Sequence, residues 1–186
     1  MKLITLISLL LFGNICIAKK HIIFLHNKFL ETHNVNESHP KYGKVQLNEI
    51  KQKFKNAGFS TIINKRNSAT KSDSAINQVI HQIDSIHKIN SKDTITVIGT
   101  SKGGYLAQMV SSKLKNPKIN FIFIGCFQES DIKEYPNINF CGNILTIFEK
   151  TDPFGVSAIK RKQTSKLSIP NFKEIELNTG LNHGFL

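Results

Sequence analysis

Hydrophobic and polar positions follow two periods along this chain. Five short runs are nearly continuous in apolar, β-branched residues: "HIIFLHN" (21–27), "FSTIIN" (59–64), "DTITVIG" (93–99), "INFIFIG" (119–125) and "NILTIFE" (143–149). Runs of this length and density predict strands buried on both faces, as in a parallel sheet. A sixth run, "FKEIEL" (172–177), alternates and predicts an edge or half-exposed strand.

Helical spacing lies between them. Leu47, Ile50, Phe54 and Ala57 share one face, and Gly58 closes that helix. Ile76, Val79, Ile80, Ile83 and Ile86 form a second stripe, with Ser72 or Asp73 expected as its cap. Leu106, Met109, Val110 and Leu114 form a third, ended before Pro117, and a short basic helix is expected over 157–167. This alternation predicts an α/β fold, a three-layer α/β/α sandwich on a mostly parallel sheet of about six strands. In such sheets ligand sites lie beyond the carboxyl ends of the strands. Function should therefore be carried by the residues at the exit of each strand.

The first residues, "MKLITLISLLLFGNICIAKKH", stand apart from that pattern. One lysine, a short apolar run and a loosely A-x-A-like end predict a cleaved signal peptide over 1–18, leaving one domain over 19–186. The apolar run is short for a membrane span, which needs about 20 residues. A secreted or periplasmic, soluble protein is expected. The chain of 186 residues is 40% hydrophobic and 20% charged, which fits one folded domain with its own core.

The formal charge is +12, or +11 once Lys2 is lost with the leader. Lysines are spread along the whole chain, so the charge predicts at most weak association with anionic surfaces and no nucleic-acid partner. Lys160, Arg161, Lys162 and Lys166 form the one locally dense basic group. After cleavage two cysteines remain, Cys126 and Cys141. One comes after a parallel strand and the other precedes the next, at opposite ends of the sheet. Two free, largely buried thiols are expected, because a disulfide needs Cα atoms within about 7 Å.

After the third strand comes Gly99-Thr100-Ser101-Lys102-Gly103, a G-x-S-x-G match. Such a match alone arises by chance about once in twenty chains of this length. Its context is more specific, because a buried strand precedes it and an amphipathic helix succeeds it. That is the setting of a nucleophile elbow, in which a strained, tight turn lifts a serine Oγ over the sheet edge. A serine needs a base, and the base needs an orienting acid. The fifth strand runs into "FEKTDPFG", which offers Asp152, with Glu149 in reserve. The sixth runs into "NTGLNHGFL", which offers His183. The order Ser, acid, His is the one an elbow of this type requires.

With the elbow "GTSKGG", the acid turn "TDPFG" and the histidine turn "NHGF", essentially the whole chain after the leader resembles the α/β-hydrolase superfamily. The resemblance implies Ser101 as nucleophile, Asp152 as acid and His183 as base. It implies an oxyanion hole from the backbone N–H of Lys102 and one from the loop "FLHNKF", at Asn27 or Lys28, with His26 and Lys28 on the active-site rim. Asn27 stands where the family often has glycine, and Asn tolerates positive φ better than most residues. The resemblance implies no metal and no cofactor.

The chain departs from the family pattern in two places. The segment 127–142 is short, so no lid is expected, and a shallow site suits small or exposed acyl substrates. The helix that the family carries after its histidine turn is missing from the sequence given, so part of one sheet face is expected to be uncovered. Glu31, His33 and His39 lie on the active-site side without tight metal-ligand spacing.

The expected protein is thus an esterase-like serine hydrolase, a monomer acting on a small acyl ester, thioester or amide. The rival reading is a non-catalytic protein of the same fold that binds an anionic envelope component. A nucleotide-binding reading fares worse, since "GTSKGG" carries neither a G-x-G-x-x-G nor a Walker lysine pattern.

Overall fold

The computed structural model describes residues 18–185. All but residue 18 of the expected leader lie outside the described residues. The six apolar runs form six strands: β1 (Lys20–Leu25), β2 (Ser60–Asn64), β3 (Thr94–Thr100), β4 (Asn120–Ile124), β5 (Asn143–Glu149) and β6 (Phe172–Leu177). The helices between them are α1 (Leu47–Asn56), α2 (Ser72–Ile89), α3 (Lys102–Leu114), α4 (Asp131–Glu134) and α5 (Ile159–Thr164). These six strands join in one sheet of order β2-β1-β3-β4-β5-β6, and every pairing is parallel.

Strand alternation builds the layers. Ile22 and Phe24 of β1 face one way and pack with Ile98, Leu47, Ile50 and Phe54 of α1. Ile23 and Leu25 face the other way, toward Ile76, Val79 and Ile83 of α2 and Leu106 and Val110 of α3. Both sides of the central strands are therefore core, as their unbroken apolar pattern requires. Toward β6 the α1 side thins, and Ile122, Ile124, Leu145, Ile147 and Ile175 are all half-buried. Among the described residues no helix is long and apolar enough to cross a membrane.

Two local expectations change. α2 starts at Ser72 with Lys71 as its N-cap and no side-chain cap, so Ser72 and Asp73 belong to the first turn. The basic helix is shorter than expected, and Arg161 within it is 1% exposed. Its guanidinium donates to the carbonyls of Tyr135 and Ile138, each at 3.0 Å, and to that of Asp131. Lys160 pairs with Glu129 at 2.7 Å. The dense basic group is therefore in part a clamp on the segment after β4. Cys126 and Cys141 are both free.

The strand order fixes where a site can form. From β1 the chain moves outward to β2, then returns across β1 to β3 and continues the other way. The reversal leaves a crevice at the carboxyl ends of β1 and β3. The β1 loop and the turn after β3 both open onto it.

Candidate active site

The turn after β3 is tight because its glycines let backbone approach backbone. A Cβ on Gly99 would overlap the Gly103 carbonyl, and one on Gly103 would overlap that of Leu25. Between them Ser101 has φ 49° and ψ −122°, a conformation a non-glycine residue holds only when its surroundings enforce it. Its N–H donates to the Ile124 carbonyl at 2.9 Å, which ties the turn to the end of β4. Lys102 opens α3, so its N–H has no partner within the helix and sits at the positive end of the helix dipole.

The structure brings Ser101, Asp152 and His183 together from three strand ends. His183 Nε2 lies 3.0 Å from Ser101 Oγ, and its Nδ1 lies 2.7 Å from Asp152 Oδ2. An ionised carboxylate only accepts, so Nδ1–H donates to Asp152 and Nε2 is left to accept from the serine hydroxyl. Asp152 is 4% exposed, and its second oxygen accepts the Phe154 N–H at 2.8 Å. Tyr42 and Phe154 contact the His183 ring edge-on, at 5.6 and 5.1 Å between centroids. The imidazole is thus fixed in tilt as well as in distance.

Glu149, the reserve acid, has a different place. It is fully buried and accepts from the N–H and hydroxyl of Thr179 at 2.9 and 2.8 Å. It anchors the loop that carries His183 rather than touching the imidazole. Burial pushes its carboxyl up, but the hydrogen bonds from Thr179, Gly180 and Thr151 outweigh this and leave it below the ordinary glutamate value.

The β1 loop differs from expectation in two respects. His26 is 2% exposed and lies beneath the site, so it is not a rim residue. Its Nδ1–H donates to the Asn27 carbonyl at 2.7 Å, and its Nε2 accepts the Arg66 N–H at 3.0 Å. That pairing defines a neutral imidazole. Burial holds its pKa below the usual value, and the positive charge of Arg66 adds to this. Asn27 is also not at positive φ. Among the described non-glycine residues that conformation belongs to Ser101, Lys115 and Asn182. Asn27 and Lys28 do line the cleft beside Ser101.

Arg66, which sequence reasoning missed, and Glu31, which it weighed only as a metal ligand, hold this loop. Glu31 accepts from Arg66 Nε at 3.3 Å and from Lys102 Nζ at 2.7 Å, and the Glu31 and Arg66 side chains are almost wholly buried. Arg66 also donates to the His26 carbonyl. The loop after β1, the loop after β2 and the residue after Ser101 are therefore cross-linked by charge. Glu31 is taken up by this pairing, whereas His33 and His39 stand with Phe29 and Tyr42 in an aromatic wall. Among the described residues no group of three or more His, Cys, Asp or Glu is gathered to hold a metal.

Two clefts flank Ser101. The larger, about 490 Å³, has Asn27, Lys28, Phe29, Tyr42 and His183 in its walls. The smaller, about 220 Å³, has Lys102, Tyr105, Gln128, Asp131 and Phe154. Cys126 also lines the second, and burial pushes its thiol up to about 12.

No protein-family model matches the sequence, and no curated protein matches it either. Solved structures do match the fold. Est1E from Butyrivibrio proteoclasticus superposes with a TM-score of 0.61 at 12% identity, over 90% of this chain and 81% of its own. A soluble variant of monoglyceride lipase from Saccharomyces cerevisiae gives 0.59 at 9%, over 90% and 79%. A lipase-esterase related protein from Clostridium acetobutylicum gives 0.57 at 14%, over 91% and 89%. The chain has the α/β-hydrolase fold.

Proposed function

We propose that this protein is an exported serine hydrolase that cleaves a small carboxylic ester, or a thioester or amide, through an acyl-enzyme. The observation that carries this reading is the hydrogen-bonded series Asp152–His183–Ser101, at 2.7 and 3.0 Å, on a strained turn at the switch point of the sheet. The hydrolase names of the structural neighbours support it at the level of fold. Export rests on the leader-like sequence of residues 1–18.

In this reading His183 Nε2 removes the Ser101 proton as Oγ attacks the acyl carbon. Asp152 holds the ring and stabilises the imidazolium. The oxyanion meets the Lys102 N–H and a second N–H from Asn27 or Lys28. Pre-aimed donors of this kind commonly lower the barrier by about 3 kcal/mol each. His183 returns the proton to the leaving atom, and water then repeats the sequence on the acyl-enzyme. No step calls on a metal or cofactor.

The test is labelling with a fluorophosphonate probe. Wild type is expected to be labelled, and Ser101→Ala is not. Equal signals from the two would return the protein to the non-catalytic binding reading.

A further inference from the structure

Resting on the serine-hydrolase reading, the two clefts flanking Ser101 can be assigned to the two halves of an ester. The tetrahedral carbon bonded to Ser101 Oγ has three other substituents. The oxyanion points to the Lys102 N–H. The leaving oxygen must lie within reach of His183 Nε2, because that nitrogen delivers its proton. The acyl carbon takes the remaining direction. His183 walls the larger cleft and is absent from the lining of the smaller one. We infer that the leaving alcohol occupies the aromatic cleft and the acyl group the small cleft, so that the preferred substrates are short-acyl esters of ring-bearing alcohols.

The wall of the larger cleft supports the second half of that statement. Phe29 stacks on His33 at 4.1 Å and meets His39 edge-on at 5.3 Å. His39 stacks on Tyr42 at 4.7 Å, and Tyr42 meets His183. The result is a connected set of rings leading away from the proton donor. A flat ring, aryl or sugar, can lie along it, whereas a linear chain leaves faces unmatched. The volume of about 490 Å³ falls in the usual range for small-molecule sites, and the 220 Å³ of the other cleft falls below it. In the smaller cleft Gln128 and Asp131 add polar side chains that a long acyl chain would have to desolvate.

The bonds balance without a further reactant. The acyl C–O bond to the alcohol breaks as C–Oγ forms, and the Ser101 proton travels by His183 to the departing alcohol. Water then supplies the oxygen and proton that release a short carboxylic acid.

The experiment measures kcat/KM for benzyl acetate, an acetylated methyl glycoside and n-hexyl acetate, and for benzyl acetate, butyrate and octanoate. Wild type is expected to prefer the ring alcohols. Along the acyl series the gain is about fourfold per buried methylene, until the small cleft is full after a few carbons. His33→Ala, at an exposed position, is expected to cut the benzyl-to-hexyl preference about threefold and leave the acyl profile unchanged. Phe29→Leu on the same wall gives the same shift. The deacylation rate of the acetyl-enzyme stays the same in both variants, because the alcohol has already left. Gln128→Trp shifts the acyl profile alone. Preference for n-hexyl over benzyl acetate in wild type, or an acyl-length effect of His33→Ala, overturns the assignment. Fluorophosphonate labelling run alongside separates the failures. A labelled enzyme with the reversed pattern overturns this inference alone, and an unlabelled one overturns the nucleophile reading and the inference together.

Discussion

The Glu149 carboxylate receives both the backbone N–H and the hydroxyl of Thr179, and so fixes the start of the loop that delivers His183. Asp152 orients the imidazole directly, and Glu149 orients the segment that carries it. The two acids should therefore differ on substitution. Asp152→Asn removes the carboxylate charge and, with its oxygen kept on the Phe154 N–H, turns an amide NH2 toward Nδ1, so it favours the wrong imidazole tautomer and is expected to lower kcat by about 10⁴-fold with the fold intact. Glu149→Ala leaves the Thr179 and Gly180 donors without their acceptor. Its expected cost is about 10²-fold in kcat/KM through misplacement of the ring, together with lower thermal stability. Steady-state kinetics beside a melting curve for each variant checks this. Equal kinetic losses with no change in melting temperature would count against the division of labour.

These two acids also show what a linear pattern can and cannot convey. β1 to β6 are legible because strands buried on both faces must be apolar throughout. The elbow is legible because a strained serine turn between strand and helix demands small residues at fixed spacing. Asp152 and His183 read as candidates because they come after the fifth and sixth strands in the order Ser, acid, His, with Glu149 as an alternative acid. Which carboxyl meets the imidazole depends on side-chain direction at the end of β5, and a linear pattern does not carry that. Glu31 and Arg66 are 35 positions apart and belong to no repeat or motif, so only the fold reveals their pairing. Arg161 reads with its basic neighbours because nothing in "KRK" marks the middle residue as buried.

The Glu31 cluster makes an asymmetric prediction. Glu31→Ala leaves the Arg66 guanidinium in the interior without its counter-charge, and the protein is expected to lose about 3–5 kcal/mol of stability. Lys102→Met removes the outer partner, whose side chain is one-third exposed, and is expected to cost about 0–1 kcal/mol. Chemical denaturation of both variants measures the difference. If the loop after β1 carries the second oxyanion donor, as proposed, Glu31→Gln, which keeps the shape and an acceptor oxygen, is also expected to lower kcat more than it raises KM.

His26 sets a pH dependence whose sign is fixed by its burial. Its folded pKa lies below the unfolded value of about 6.5, so the unfolded chain binds more protons between the two values. The stabilisation is complete above the unfolded pKa and is lost as pH falls through the folded one. The groups acting on this imidazole are Arg66 and Lys102, which lower its pKa, and Glu31 and the Asn27 carbonyl, which raise it. The denaturation midpoint is expected to fall on acidification below about pH 6.5. His26→Gln keeps an acceptor for the Arg66 N–H but cannot titrate, so its midpoint is expected to be flatter over that window. Identical slopes in wild type and variant would place the titration elsewhere.

Arg161 offers the plainest separation of charge from structure. If the basic run of α5 serves mainly to attract anions, Lys160→Ala, Arg161→Ala and Lys162→Ala should behave alike, since each removes one positive charge from one short helix. The hydrogen bonds argue for a different result. Arg161 closes the segment after β4 by binding three of its carbonyls, while Lys160 reaches one exposed carboxylate and Lys162 lies over the Phe172 ring. Truncating Arg161 leaves those carbonyls unsatisfied and opens a cavity against Phe127, whose ring its guanidinium overlies. The expected loss for Arg161→Ala is about 3 kcal/mol or more. Each lysine variant is expected to stay within about 1 kcal/mol of wild type. The affected segment also supplies Gln128 and Asp131 to the small cleft. A milder Arg161→Lys variant that still folds should therefore alter acyl-length preference before it alters labelling of Ser101. Parallel denaturation curves and acyl-length profiles for the four variants would show whether α5 acts through its charge or through this one buried side chain.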